Sequence, residues 1–266
     1  MKIVTVMLAA SLACGATYAQ AAAGQTSATA PQHKATQSKA AQPTTSQVEP
    51  SAVAALTKMS AYLRSLPAFQ ITLQTERDDV DVYGQLITLS SEATYKLRRP
   101  DAFSIDLNQP TGTRQYVYDG KTVTVYDPKT GYYGKIQAPS TIRATLEMAS
   151  QKYGATLPLQ DLFTWSEGND QAKALTSAHY VGKAQVAGQS ANQYAFRQPG
   201  IDWQIWIADG DKPVPLRVAL VASDDKARPK FEANLVWDTA PQFAADAFVF
   251  TPPPNSKAIS IHPLQP

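Results

Sequence analysis

Between residues 68 and 250 the chain is a succession of short apolar–polar alternations, each ended by a turn signal. Phe69, Ile71 and Leu73 alternate with polar residues. A period of two marks a strand with one buried face. Residues 94–98 and 103–107 have the same character and flank Arg99-Pro100-Asp101, a turn signal. Tyr116-Val117-Tyr118 runs into Asp119-Gly120, and residues 122–126 follow. Asp-Gly between β-rich runs predicts a tight hairpin, because its two positions take positive φ. Asp127-Pro128-Lys129-Thr130-Gly131 is the next turn and leads to Tyr132-Tyr133. After a break, strands resume at His179-Tyr180-Val181. Residues 191–197 lie between Gly188 and a Pro199-Gly200 turn, and residues 203–207 are closed by Gly210. Leu216, Val218 and Leu220 alternate, then Phe231, Ala233, Leu235 and Trp237. Phe248-Val249-Phe250 reads as a last short strand before Pro252-Pro253-Pro254.

Helical periodicity occurs in two places. Val53, Leu56, Met59, Tyr62 and Leu63 predict an amphipathic helix over 52–65, with Ser51 as N-cap and Pro67 as terminator. Ile142, Leu146, Ala149 and Tyr153 share one face of a helix over 141–153, capped by Ser140 or Thr141 and stopped at Gly154. Residues 158–163 suggest a second short helix there. The total is about ten or eleven strands. Strands and helices do not alternate, which excludes a parallel α/β fold. An antiparallel sheet this large must curl or close to manage its edges. The expected class is therefore mainly β with helices (α+β). A strongly curved antiparallel sheet forms an incomplete barrel, with helices covering its open side and an apolar concave face.

The segments outside this core have other signatures. Lys2, an apolar run from Ile3 to Ala13 and Ala19-Gln20-Ala21 read as a cleavable export signal over 1–21. The apolar run is shorter than the ~20 residues that a bilayer span needs. Residues 22–50 are rich in Ala, Gln, Thr and Pro and are expected to be a disordered leader. One half-barrel domain is expected over 51–256, then a loose tail over 257–266. The expected location is the periplasm. Cys14, the single cysteine, follows Ser11-Leu12-Ala13 and leaves a lipid-anchored form open as the alternative.

Chemistry is sparse. Net charge is +2 from 24 basic and 22 acidic residues, with no basic footprint for nucleic acid. Gly188-Gln189-Ser190-Ala191-Asn192 lacks the last glycine of a nucleophile elbow. No phosphate loop or His-Glu-x-x-His stands in the chain. His33, His179 and His262 lie apart, which offers no metal set. No catalytic residue, metal or cofactor is therefore assigned. Glu76, Asp78, Asp79 and Asp81 read as a solvated hairpin tip. Arg99 with Asp101, or Asp161, would be the remaining enzyme candidates, but their settings suggest turn and capping roles. Trp203 and Trp206 must face opposite sides of one strand. The candidate ligand-binding residues are Trp203 and Trp206 on the sheet, Ile142, Leu146 and Ala149 on a lid helix, and Leu162 and Phe163 beside it. Ordinary core packing would account for the same residues.

Several short motifs recur in a characteristic order. They are Leu97-Arg98-Arg99-Pro100-Asp101, Tyr118-Asp119-Gly120-Lys121-Thr122, Leu157-Pro158-Leu159-Gln160-Asp161-Leu162 and Ala195-Phe196-Arg197. Asp202-Trp203-Gln204-Ile205-Trp206-Ile207 and Phe248-Val249-Phe250 complete the series. Over residues 52–260 this resembles a family of predicted periplasmic proteins, a domain of unknown function similar to the LolA/LolB-like lipoprotein carriers. The resemblance implies a curved, incomplete antiparallel barrel plugged by helices, without catalytic activity. It departs at Gln193, where a His is expected. The function it implies is a non-enzymatic periplasmic carrier or binding protein with an apolar cavity for a lipid or lipidated protein. The alternative is a cell-envelope structural or interaction module whose cavity is filled by its own side chains and whose partner is another envelope protein. Neither reading involves nucleic acid or a transmembrane span in the mature chain.

Overall fold

The computed structural model describes residues 47–160 and 174–264. In chain order the strands are β1 (Gln47–Val48), β2 (Ala68–Val80), β3 (Leu86–Arg98), β4 (Ala102–Gln109), β5 (Gly112–Tyr118), β6 (Thr122–Asp127) and β7 (Tyr132–Gln137). They continue with β8 (Ser177–Val186), β9 (Gln189–Gln198), β10 (Ile201–Ala208), β11 (Pro215–Ala222), β12 (Lys230–Asp238) and β13 (Lys257–Ile259). Helix α1 (Pro50–Ser65) precedes β2, and α2 (Ile142–Tyr153) follows β7. Among the described residues the strands make one thirteen-stranded sheet, ordered β1-β8-β9-β10-β11-β12-β2-β3-β4-β5-β6-β7-β13. Two antiparallel meanders, β2–β7 and β8–β12, are joined where β12 pairs with β2. The sheet is open and curved, as the alternation of turns predicts.

Register explains the two faces. Trp237, Ile71, Tyr95, Ile105, Tyr116 and Val125 are directly opposed across six neighbouring strands, so they share one face. Leu235, Leu73, Ala93 and Leu107 make the next row on that face. These residues join Met59 and Leu63 of α1 and Ile142 and Leu146 of α2 in a single core. The concave face is thus the apolar one, and both helices lie on it.

The other face is solvated over β12, β2 and β3, where Asn234, Gln74 and Glu92 are exposed. Over β4–β7 it is covered instead, by the segment between β12 and β13. Arg98 lies 5.0 Å over the Phe248 ring, and Phe250 lies 5.4 Å from both Tyr126 and Tyr133. Ala102, Ser104, Val117 and Thr124 are buried beneath this strap. Phe248-Val249-Phe250, expected to be a strand, is not one. Its rings serve as anchors, and the prolines that follow have no N–H to extend a ladder.

Three expectations at the chain ends change. Glu49, not Ser51, is the N-cap of α1, and Pro50 takes the first turn, where a missing N–H costs nothing. The Glu49 carboxylate accepts from the Tyr180 backbone N–H instead of capping its helix. The sheet extends past both expected limits of the domain, 51 and 256. β1 lies within the stretch expected to be disordered, and β13 within the tail expected to be loose. Both are short parallel additions, to β8 and β7 respectively. They satisfy backbone groups that would otherwise be open edges.

Candidate functional site

Helix α1 enters the concave face through Ala52, Met59 and Leu63, all essentially inaccessible. Burying side chains such as Met59 and Leu63 stabilises the helix–sheet contact by ~1.5–3 kcal/mol each. Leu63 also offers its carbonyl to Arg99 Nη2 at 3.5 Å. Helix α2, like α1, buries three side chains, Ile142, Thr145 and Leu146 of its twelve residues. Thr141 caps it by accepting from the Ala144 N–H, and Gly154 ends it in the left-handed conformation at φ +64°.

Polar groups fix where α2 begins. The Ile142 N–H donates to Pro100 O at 3.0 Å. Tyr118 Oη and Thr145 Oγ1 both donate to Pro139 O. Tyr95, fully buried on β3, donates to Pro158 O at 2.8 Å. Burial, then the neighbouring Tyr116, pushes the Tyr95 hydroxyl far up, so it remains a donor throughout the physiological range.

The sequence candidates separate under this geometry. Ile142 and Leu146 face the core as expected, and Ala149 is half-buried at its margin. Thr145 is the residue the apolar stripe overlooked. It lies three positions after Ile142 on the same face, and its hydroxyl is satisfied locally. Leu162, Phe163 and Asp161, and with them half of the short helix expected over 158–163, lie outside the described residues. Trp203 faces the concave side, opposite Leu220 and Phe196. Trp206 faces the other side, so it does not line the cavity. There the Arg217 guanidinium covers its ring at 5.0 Å, and Arg217 also pairs with Glu232 at 2.7 Å.

The concave face carries an aromatic row that single-strand reading did not find. Tyr180, Tyr194, Phe196 and Trp203 follow one another across β8, β9 and β10 at ring separations of 5.4, 6.5 and 4.2 Å. Tyr180 is 41% exposed at one end and Trp203 is 7% exposed at the other. The row therefore runs from solvent into the core.

The polar candidates hold no assembled chemistry. Arg99 turns to α1, whereas Asp101 pairs with Arg98 at 3.8 Å. Asp81 accepts from the Tyr83 and Gln85 N–H groups, and Asp78 from Thr88 and from the Lys230 N–H. These acidic residues organise a hairpin tip. Among the described residues no group of three or more His, Cys, Asp or Glu could hold a metal ion. Gln193, at the position where a His was expected, donates to Gln204 Oε1 at 2.8 Å on the outer face. That face also has a cleft of about 490 Å³ with Gln74, Glu92, Asn108 and Asn234 in its lining. Its polar wall does not suit an acyl chain.

The sequence profile of a family described as "Predicted periplasmic protein (DUF2092)" matches residues 52–262. The chain belongs to this family. The DUF2092 match runs from the first turn of α1 past β13, so the helices and the concave sheet lie within the family's shared region. No curated protein matches the chain. Among solved structures, it is similar to an uncharacterized conserved protein from Thermus thermophilus, with 14% identity over 79% of this chain and 99% of that one, at a TM-score of 0.45. It is similar to the lipoprotein LppX of Mycobacterium tuberculosis, with 13% identity over 73% and 98% of the two chains, at a TM-score of 0.45. In the MucA/MucB complex of Pseudomonas aeruginosa the figures are 18% identity, 76% and 61%, and 0.42. No described helix is long and apolar enough to cross a membrane.

Proposed function

We propose that this DUF2092 protein is a non-enzymatic periplasmic carrier or binding protein that takes up an aliphatic chain, from a lipid or a lipidated protein, on the concave face of its sheet. The observation that carries this reading is the way α2 covers that face. Beneath α2, which buries Ile142, Thr145 and Leu146, lies part of an apolar surface that continues across the sheet under α1. Such a cover lifts at small cost relative to global unfolding. What lies beneath is aliphatic and aromatic, and the Tyr95, Tyr118 and Thr145 hydroxyls are already bonded. That surface suits a hydrocarbon chain better than a polar substrate. Export by the signal over 1–21 and cleavage after it complete the reading, with lipid attachment at Cys14 as its variant.

The test is gentle purification of the exported protein, native mass spectrometry, and titration with a fluorescent fatty acid. Added mass in the lipid range and saturable uptake are expected. Apo protein that takes up no fatty acid overturns the reading.

One observation favours the second reading, an interaction module. Residues 78–80 and 86–91 of the β2–β3 hairpin extend beyond the pairing of β12 with β2 and of β4 with β3. At the tip Val82 and Tyr83 are 93% and 90% exposed. An envelope protein partner would engage this tip while α1 and α2 keep the concave face filled. Loss of partner binding in V82S/Y83S, with fatty acid uptake absent from the parent protein, would favour this reading over the first.

A further inference from the structure

We infer that the gap between the β7 edge of the sheet and helix α2 is the entry site for the aliphatic chain, and that the C-terminal segment 257–264 occupies it as a built-in stand-in for that chain. The inference deepens the carrier reading and rests on it.

Two glycine notches mark the gap, one on each side. Gly134 lies on β7, directly opposite the concave-facing Val125, so a side chain there would point into the concave face. A Cβ at this position would meet Ile261 Cγ1 at 2.5 Å and Cδ1 at 2.6 Å. Ile261 therefore fills the place that position 134 leaves empty. Gly154 ends α2, and a Cβ there would meet Leu264 Cδ1 at 2.9 Å. The same short segment thus seats one aliphatic side chain on the sheet and a second on the end of the lid. It bridges the gap with hydrocarbon of the class the concave face would accept.

The segment is held lightly. Its backbone pairs with β7 at three register positions, and the Leu264 N–H donates to Lys152 O at 2.8 Å. Ile259 remains 50% exposed and Leu264 63% exposed. Pro263 contributes no N–H. A segment with few bonds and little buried area opens well below the free energy of global unfolding. An incoming chain would displace Ile261 and Leu264, and the link between α2 and the sheet edge would open with them.

Gly134 separates the test from the tail itself. Gly134 is not among the glycines with positive φ, so alanine is compatible with its backbone, and G134A would expel Ile261 and press on Ile259 O at 3.3 Å without changing the sequence of the segment. Conversely, K152C/L264C would lock the segment at its hydrogen-bonded contact when oxidised. Binding of dansylundecanoic acid to the exported full chain, to G134A, and to K152C/L264C oxidised and reduced is the experiment. G134A should bind about ten- to hundredfold tighter, the gain expected when an open state of a few per cent becomes dominant. Oxidised K152C/L264C should bind more weakly than the parent, and reduction should restore binding. The last comparison uses one polypeptide, so misfolding cannot produce it. Saturable binding of equal affinity by all four overturns the entry site and leaves the carrier reading standing. Absence of saturable binding from all four overturns both.

Discussion

The indole of Trp203 stacks on the ring of Phe196, with centroids 4.2 Å apart and planes 20° from parallel, at directly opposed positions of β10 and β9. Three residues further on, Trp206 turns to the other face and lies beneath the Arg217 guanidinium. W203A should therefore cost ~3–5 kcal/mol, the range for emptying a large buried aromatic site. W206A should cost about 1 kcal/mol, the scale of a half-exposed cation–π contact. Urea denaturation of the two variants checks the contrast, and equal losses would contradict the facing assigned to each.

Asp202, one residue before this pair, makes the best-formed ion pair on the outer face. Arg197 donates to its two carboxylate oxygens at 2.6 and 2.9 Å, and Arg228 lies 3.5 Å away. The hydrogen bond from Arg197 leads the effects that hold the Asp202 carboxyl below the usual carboxylate range. A depressed folded-state pKa means that the stabilisation is present above the unfolded value, ~3.9, and is lost as pH falls through the folded value. Arg197 is 64% exposed, so solvent screens the pair and D202N should cost only ~0.5–1 kcal/mol at neutral pH. Chemical denaturation from pH 7 down to pH 2.5 should show this difference shrinking below about pH 4. A difference that persists unchanged at the acid end would contradict the account.

Tyr118 and Thr145 share one acceptor, Pro139 O. Removing either hydroxyl leaves that carbonyl satisfied by the other. Y118F and T145V should each cost less than ~1 kcal/mol, whereas the double variant should exceed their sum by ~1 kcal/mol, because only then is the carbonyl abandoned. A double-mutant cycle by thermal or chemical unfolding measures the coupling. Strict additivity would mean that the carbonyl is not the common link between β5 and α2.

Local chemistry made much of the sheet readable. Asp119-Gly120 and Pro199-Gly200 stand at the β5–β6 and β9–β10 turns, though of the first pair only Gly120 takes positive φ, and the period of two placed Trp203 and Trp206 on opposite faces. Which of them faces inward was not readable, because that choice is made by the helices on one side of the sheet. Phe248-Val249-Phe250 has strand composition but no ladder partner, and its rings are used across the convex face instead. β1 and β13 are too short for a period to show, and both are parallel additions to edges that only the assembled sheet creates. Thr145 was hidden for a related reason. A polar residue on an apolar stripe reads as an interruption until the carbonyl that satisfies it is in place. The aromatic row from Tyr180 to Trp203 depends on the register of three strands, which no single strand encodes.

The central claim is that an aliphatic chain occupies the concave face. Fluorescence quenching by a brominated fatty acid tests it most directly, using one variant in which Trp203 is the sole tryptophan and another in which Trp206 is. The other tryptophans, Trp165 and Trp237 among them, are replaced by Phe. The account predicts saturable quenching of Trp203 and little quenching of Trp206. Saturable quenching confined to Trp206, or none at either position, would contradict it.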